Sequence, residues 1–349
     1  MITDNNDLES VLRQWFPLDV WELSSGPSGM NNTTHYVEVN GAFYVLRIYE
    51  THRDEIKVRY EHAVLLGLAE LALPFSTPVP VMAPSGETYL RLEEGEGREA
   101  GKFAALFHFI AGIRPELREV GQIYSFGRAT AQLANAIQQL ELSFEPEYPC
   151  YYELGLAGNQ DRLSEVIRFC NEPTEPFLKH TEPLRRIGEM LNEFAKEAPS
   201  LRKLPHQLIH GDLNASNSLV GGDNGITALL DFEFTTRDLR VMEVAVCLSE
   251  LILQEVDTPL QAARDKIEAF LSGYGSVIKL TPDEVKVLQT LIQLRRLDVF
   301  VHFLSRFRDG IDTSEVMVEM ITSAIAVDNW LQANGELLVA VSEKQLLEY

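Results

Sequence analysis

The apolar periodicity of this chain changes once, near residue 110, and that change limits the fold more than any single motif does. Before it, residues 20–24, 33–39 and 43–49 are short runs rich in β-branched and aromatic side chains with Gly, Asn and Pro between them, the pattern of strands joined by turns. Asn40-Gly41 lies between the last two runs, and both residues tolerate the positive φ of a tight hairpin. A candidate helix precedes the strands (residues 7–15). A second covers residues 53–71, where Ile56, Tyr60, Ala63, Val64 and Leu68 recur at helical spacing and Pro74 lies just beyond. Further short strands are expected around residues 79–82, 88–92 and 103–109. After Pro115 the apolar faces are helical, over residues 120–140, 162–171, 183–198, 241–255, 260–271 and 282–306, with strand-like pieces at 218–220 and 226–230. The expected fold is α+β in two lobes: a small antiparallel sheet lobe over residues 1–110 and a larger, mainly helical lobe over 111–349.

Charge and cysteine usage exclude several functions. A formal net charge of −22 with no basic run would repel a phosphate backbone, so nucleic acid is not an expected partner. Cys150, Cys170 and Cys247 are widely spaced with no CxxC pair, against both a zinc site and a disulfide framework. The amino terminus lacks the basic and apolar regions of a signal peptide, and the most apolar helical stretch is interrupted by Glu243 and Glu250. A cytoplasmic protein without a membrane partner is expected; nothing in the sequence speaks to its oligomeric state.

The most specific chemical signal is His210-Gly211-Asp212-Leu213-Asn214-Ala215-Ser216-Asn217, followed by a strand-like run that ends in Asp231-Phe232-Glu233. Phosphoryl transfer needs a carboxylate to orient and deprotonate the attacking hydroxyl, and oxygen ligands to hold metal against the phosphates. An aspartate in an H-x-D-x-x-x-x-N loop supplies the first. The asparagine that closes the loop and an aspartate returning at the end of a hairpin strand supply the second.

These strings resemble the aminoglycoside phosphotransferase and choline kinase superfamily, which shares the two-lobed protein-kinase-like fold. The likeness runs over most of the chain, with HGDLNASN and LLDFEF as its specific core. The order GMNNTTHYVEV, YVLRIYE, HGDLNASN and LLDFEFTTRDLRVMEVAV is most similar to type II homoserine kinases and their uncharacterised relatives. The resemblance implies Asp212 as the catalytic base, Asn217 and Asp231 as the metal ligands, and ATP with Mg2+ as cofactors.

In the amino-terminal lobe the stretch from Ser25 to Asn32 lies between two strands, where Ser28, Gly29, Asn31 and Asn32 can present polar groups to a nucleotide's phosphates. No GK[ST] follows, so this is not a P-loop, and a plain turn is the competing reading. Protein kinases carry a lysine on the third strand, paired with a helix glutamate; here the matching positions are Arg47 and Glu61, with a surface arginine beside a solvated Glu61 as the alternative. LFHFIAGIRP resembles the family's crossing between lobes, which nominates His108, Phe109 and Ile110 for the adenine.

Glu233 replaces the glycine of protein kinases, an acid that either sits near a second metal or bonds to backbone. Glu243 is read as support for the catalytic loop, or as a helix-start carboxylate favoured by the dipole. Arg295 and Arg296 interrupt an apolar run: either a guanidinium binds a substrate carboxylate, or Arg295 is a helix-surface residue paired with Asp298 at i, i+3. Tyr151-Tyr152-Glu153 either lines a pocket or connects helices. The expected activity is transfer of the γ-phosphoryl group of ATP to a hydroxyl of a small-molecule alcohol, homoserine or a similar amino alcohol. The alternatives are an aminoglycoside or choline/ethanolamine kinase and, in another class, a regulatory pseudokinase. Arg47 in place of lysine is the one departure that favours the last.

Overall fold

The computed structural model of the protein describes residues 5–26, 32–50, 54–92, 101–154, 160–222 and 225–348. Two compact units divide the chain: Met1–Ile113 with Leu140–Glu147 and Thr227–Glu233, and Arg114–Gln139 with Tyr148–Ile226 and Phe234–Tyr349.

The first unit opens with α1 (Asn5–Leu12), followed by β1 (Trp21–Ser25), β2 (Asn32–Val39), β3 (Ala42–Tyr49), α2 (Glu55–Ala69), β4 (Leu90–Arg91) and β5 (Phe103–His108). The strands form one antiparallel sheet in the order β1-β2-β3-β5-β4. Asn40 and Gly41 turn β2 into β3 with φ of 52° and 81°, the left-handed pair that matches a hairpin's twist. Strand alternation then sorts the side chains. Val37, Val39, Leu46, Ile48, Ala104 and Leu106 face Leu8, Val11, Leu12 and Trp15 in one apolar cluster. The opposite face carries Arg47, Tyr49 and Phe107, and there the His62 ring of α2 meets Phe107 edge-on at 5.5 Å.

The strand expected at residues 79–82 is an extended segment with a single bridge, Pro80 to Phe107, because Pro80 has no N–H to donate. Its neighbours still pair: Val81 N–H donates to Leu106 O at 2.7 Å and His108 N–H to Val79 O at 3.1 Å. The late segment Thr227–Glu233 joins this unit through Ser76, whose N–H donates to Thr227 O at 2.8 Å and whose O accepts from Leu229 N–H at 3.0 Å.

The second unit holds α3 (Val120–Ile137), α4 (Gln160–Asn171), α5 (Thr181–Leu201), β6 (His206–Ile209) and β7 (Ser218–Val220). The chain passes through β8 (Ile226–Leu229), most of which belongs to the first unit, and the second unit resumes with β9 (Thr236–Leu239), α6 (Met242–Glu255), α7 (Leu260–Gly275), α8 (Pro282–Lys286), α9 (Leu288–Arg308) and α10 (Ser314–Leu346). β6 pairs antiparallel with β9. The helix expected over residues 282–306 is two. Thr281 caps α8 in a capping box with Glu284, and the axis breaks at Val287 before α9 begins. Glu284 is fully buried and takes both arms of the Arg240 guanidinium, at 2.9 and 2.6 Å, so the same carboxylate caps a helix and closes an ion pair. α6 is buried on nearly every side, and α10, the longest helix, has no counterpart among the sequence expectations. Among the described residues no helix is long and apolar enough to cross a membrane.

Candidate active site

In the first unit, alternation along β3 turns Arg47 and Tyr49 toward the same side, and Glu61 of α2 receives both. Arg47 Nη1 donates to Glu61 Oε1 at 2.8 Å and the Tyr49 hydroxyl to Oε2 at 2.9 Å. The guanidinium also lies 3.6 Å from Asp231 Oδ1 and 5.2 Å over the Phe107 ring. Burial alone would lower the Arg47 pKa; Glu61 and Asp231 outweigh it and raise it, so the group stays charged. Burial pushes Glu61 up to about 7, against the pull of Arg47. His62, desolvated and near Arg47, is lowered to about 3 and is a neutral partner of Thr88 at 2.7 Å. Glu61 is therefore buried and paired rather than solvated.

Asp231 adopts φ of 65°, a left-handed conformation rare for a side chain with a Cβ. Two residues on, buried Glu233 accepts from Asn32 Nδ2 at 2.9 Å, a partner that the sequence did not indicate. Ser28, Gly29 and Asn31 lie outside the described residues. At the end of β5, His108 and Phe109 are exposed and their N–H groups are engaged by Val79 O and Phe43 O. Ile110 N–H makes no bond among the described residues, and it is the amide of the three available to a nucleobase.

The second unit builds the loop that carries Asp212. β6 ends at Ile209, and the His210 N–H donates to Glu243 Oε2 at 2.6 Å, so the first turn of α6 pins the start of the loop. Glu243 is fully buried and desolvation raises it to about 7, opposed by the His210 and Gly211 amides. The sequence reading of Glu243 as loop support matches this geometry. Gly211 has φ of 81°, and a Cβ there would meet Phe234 O at 3.0 Å, which requires glycine at the turn. Asn214 then caps a short 3-10 turn, its side chain accepting from Ser216 N–H at 2.8 Å. That turn brings Asn217 back to Asp212: Asn217 Nδ2 donates to Asp212 O at 2.9 Å and to Asp212 Oδ2 at 3.0 Å.

The other oxygen of Asp212 is taken by Arg295 Nη2, while Arg295 Nη1 donates to the Tyr151 hydroxyl at 2.9 Å. Tyr151 in turn donates to Gly211 O. The pairing of Arg295 with Asp298 is present at 3.9 Å, but the guanidinium is largely buried rather than on the helix surface, and its shorter contact is with Asp212. Arg296 points elsewhere, to Ser249 at 2.6 Å and Glu250 at 3.1 Å. Tyr151, Phe234, Asp298 and His302 line a cavity of about 520 Å³ within this unit. Of the two readings of Tyr151-Tyr152-Glu153, the pocket-lining one holds for Tyr151, while Asp298 was read only as the partner of Arg295. An Arg-x-x-Asp pair interrupting the apolar run of a late helix was the signal in the sequence.

The nominated residues therefore fall into two groups: Arg47, Glu61 and Asp231 in the first unit, Asp212 and Asn217 in the second. Homoserine kinase from Beijerinckia indica subsp. indica is 27% identical over 285 residues, 82% of this chain and 80% of that protein. Homoserine kinase from Chelativorans sp. is 29% identical over 268 residues, covering 75% and 73%. Among solved structures, an amicoumacin kinase in complex with AMP-PNP, Ca2+ and Ami superposes with a TM-score of 0.66 at 13% identity, covering 93% and 94% of the two chains. A microcompartment-associated aminopropanol kinase superposes at 0.61 and 18% identity, covering 95% and 99%. These likenesses identify the fold as that of the protein-kinase-like phosphotransferases, in agreement with the α+β expectation. The phosphotransferase enzyme family model (APH) matches residues 22–277, a span that runs from β1 through α7 and includes both groups of nominated residues, and the chain belongs to that family.

Proposed function

We propose that this protein transfers the γ-phosphoryl group of ATP to the hydroxyl of a small amino alcohol, homoserine or a close relative, with Asp212 as the base. The observation that carries the reading is the setting of Asp212. Its carboxylate is held by Asn217 on one oxygen and Arg295 on the other, on a loop braced by Glu243. A carboxylate fixed from both sides loses little orientational freedom when the acceptor arrives.

In the reaction the acceptor hydroxyl gives its proton to Asp212 as its oxygen bonds to the γ-phosphorus, and the bond from that phosphorus to the β–γ bridging oxygen breaks, releasing ADP. Arg47, kept charged by Glu61, contacts the α- and β-phosphates through its planar fork, in the role lysine fills in protein kinases. Asn32 carries phosphate-loop duty together with Ser28, Gly29 and Asn31, and the adenine edge meets the backbone at Ile110 beyond His108 and Phe109.

The donor chemistry suits a divalent ion: Asn217 commits its amide nitrogen to Asp212, which leaves its oxygen to act as a ligand, and Asp231 carries a carboxylate, both hard oxygen donors. Mg2+ held by Asn217 and Asp231 would neutralise charge on the β- and γ-phosphate oxygens.

Coupled ADP release with Mg-ATP across a panel of homoserine, aminopropanol, ethanolamine, choline and aminoglycosides tests the proposal. Turnover fastest with a short amino alcohol is the expected result. Preference for an aminoglycoside would replace the substrate reading, and no turnover with nucleotide still bound would favour a pseudokinase.

A further inference from the structure

Asp298 is a charged side chain that lines the cavity of the second unit and that the reaction above does not use. On α9 it stands one turn after Arg295, so both side chains lie on the helix face that meets Tyr151. Arg295 has turned its two terminal nitrogens to Asp212 and Tyr151, which leaves Asp298 at 3.9 Å with no N–H or O–H donating to its carboxylate among the described residues. Two carboxylates thus share one guanidinium. The side chains are 16% (Arg295), 19% (Asp212) and 23% (Asp298) exposed, so the surplus negative charge is only partly relieved by water. Desolvation raises Asp298 to about 6 in spite of Arg295, a carboxylate still mainly ionised at neutral pH and short of a counter-charge.

The space in front of it has the form of a small-molecule site. The cavity of about 520 Å³ is walled by Tyr148, Tyr151 and Phe234, with Val166 and Val301 adding apolar surface. The Tyr148 and Phe234 rings lie 5.3 Å apart, and aromatic faces of this kind favour a cation over an anion or a neutral group. The other charged lining residues, Arg162, Glu165, Arg308 and Asp309, are exposed and of mixed sign, so solvent and salt screen them, whereas Asp298 is only partly exposed.

We propose that Asp298 receives the ammonium group of the acceptor, selecting amino alcohols over uncharged alcohols, while the hydroxyl at the other end of the molecule reaches Asp212. The selection rests on the kinase reading given above; the ammonium site itself does not. Arg295 spaces the two carboxylates with a rigid planar group, so a short-chain amino alcohol lying along it presents one end to each. A bound ammonium supplies the donor that Asp298 lacks and balances the surplus charge.

The test is titration calorimetry of the full chain with aminopropanol and with propanediol, its match without the charge, followed by ADP release from Mg-ATP in the same samples. The wild-type protein binds aminopropanol and discriminates against propanediol. Asp298→Asn weakens the amine by at least about thirtyfold and leaves the diol unchanged, the loss expected when one partner of a half-buried charge pair is removed. Comparing the two probes on the wild-type protein keeps the test valid if the variant is poorly folded. Equal binding of amine and diol, no binding of the amine, or an unchanged Asp298→Asn would overturn the assignment. Amine binding through Asp298 with no ADP release from any alcohol would sink the kinase reading and leave the ammonium site standing. Turnover of both alcohols without preference would do the reverse.

Discussion

The guanidiniums of Arg47 and Arg295 each sit among carboxylates, and their surroundings differ. Arg47 is met by Glu61 at 2.8 Å, Glu61 is completed by Tyr49, and the neighbouring His62 is occupied by Thr88, with Asp231 farther from the guanidinium at 3.6 Å. Arg295 is shared by Asp212 and Tyr151 and leaves Asp298 without a donor beside a cavity. A closed network is a device for holding a charge still, since every member loses something if one moves. An open one has capacity for a further partner. The contrast is between a first-unit cluster whose hydrogen bonds are closed on themselves and a second-unit cluster with room for a further partner.

The largest effect that can break this contrast is at Asp212. Asp212→Asn should lower kcat by roughly 10²–10⁴-fold, the usual contribution of a general base, while Mg-ATP binding measured by calorimetry stays near wild type. A variant that keeps its turnover would remove Asp212 from the chemistry.

Next comes the closed pair. Arg47→Met leaves Glu61 buried without its cation and should cost roughly 3–5 kcal/mol in denaturant unfolding, with weaker nucleotide binding. Arg47→Met combined with Glu61→Leu should recover most of the stability but not the nucleotide binding. Recovery of both would mean that Arg47 serves the fold alone.

Glu243 sharpens the comparison through pH. Its folded pKa of about 7 lies above the ordinary value of 4.5, so between these values the folded state binds more protons than the unfolded one. Stability from this group is therefore greatest at low pH and is lost as pH rises toward 7, by at most about 1.4 kcal/mol per pH unit. Glu243→Gln mimics the protonated acid and does not titrate. Its melting temperature should match wild type near pH 5 and gain on it by pH 8; parallel curves would refute a raised Glu243 pKa.

The smallest expected change is Tyr151→Phe, which removes the hydroxyl between Arg295 and Gly211. A loss of about 1 kcal/mol in stability with a several-fold fall in kcat is expected, the scale of one hydrogen bond. A rise in KM without any fall in kcat would instead place Tyr151 in the cavity wall only.

Much of this is legible in the sequence. The strands near Thr33 and Phe43 and the Asn40-Gly41 turn follow from alternation and turn chemistry, which are local. Arg47 and Glu61 were nominated by position, and they meet because strand alternation and a capped α2 aim them at each other. The break at Val287 was not legible, since the apolar spacing continues across it; the capping box with buried Glu284 marks only where α8 starts. Nor was the Glu233–Asn32 contact, which joins residues 201 positions apart.

The sequence by itself determined the chemical vocabulary: a base, two oxygen ligands and a loop whose glycine must turn with positive φ, because bond geometry and short-range spacing demand those residue types. What only the tertiary structure decided was which charges are satisfied. Arg295 and Asp298 are one helical turn apart and read as a pair, yet Arg295 is claimed by Asp212, 83 residues earlier in the chain. Spacing along a helix records which groups are able to meet; burial, and competition from carboxylates brought in from distant segments, determines which of them do.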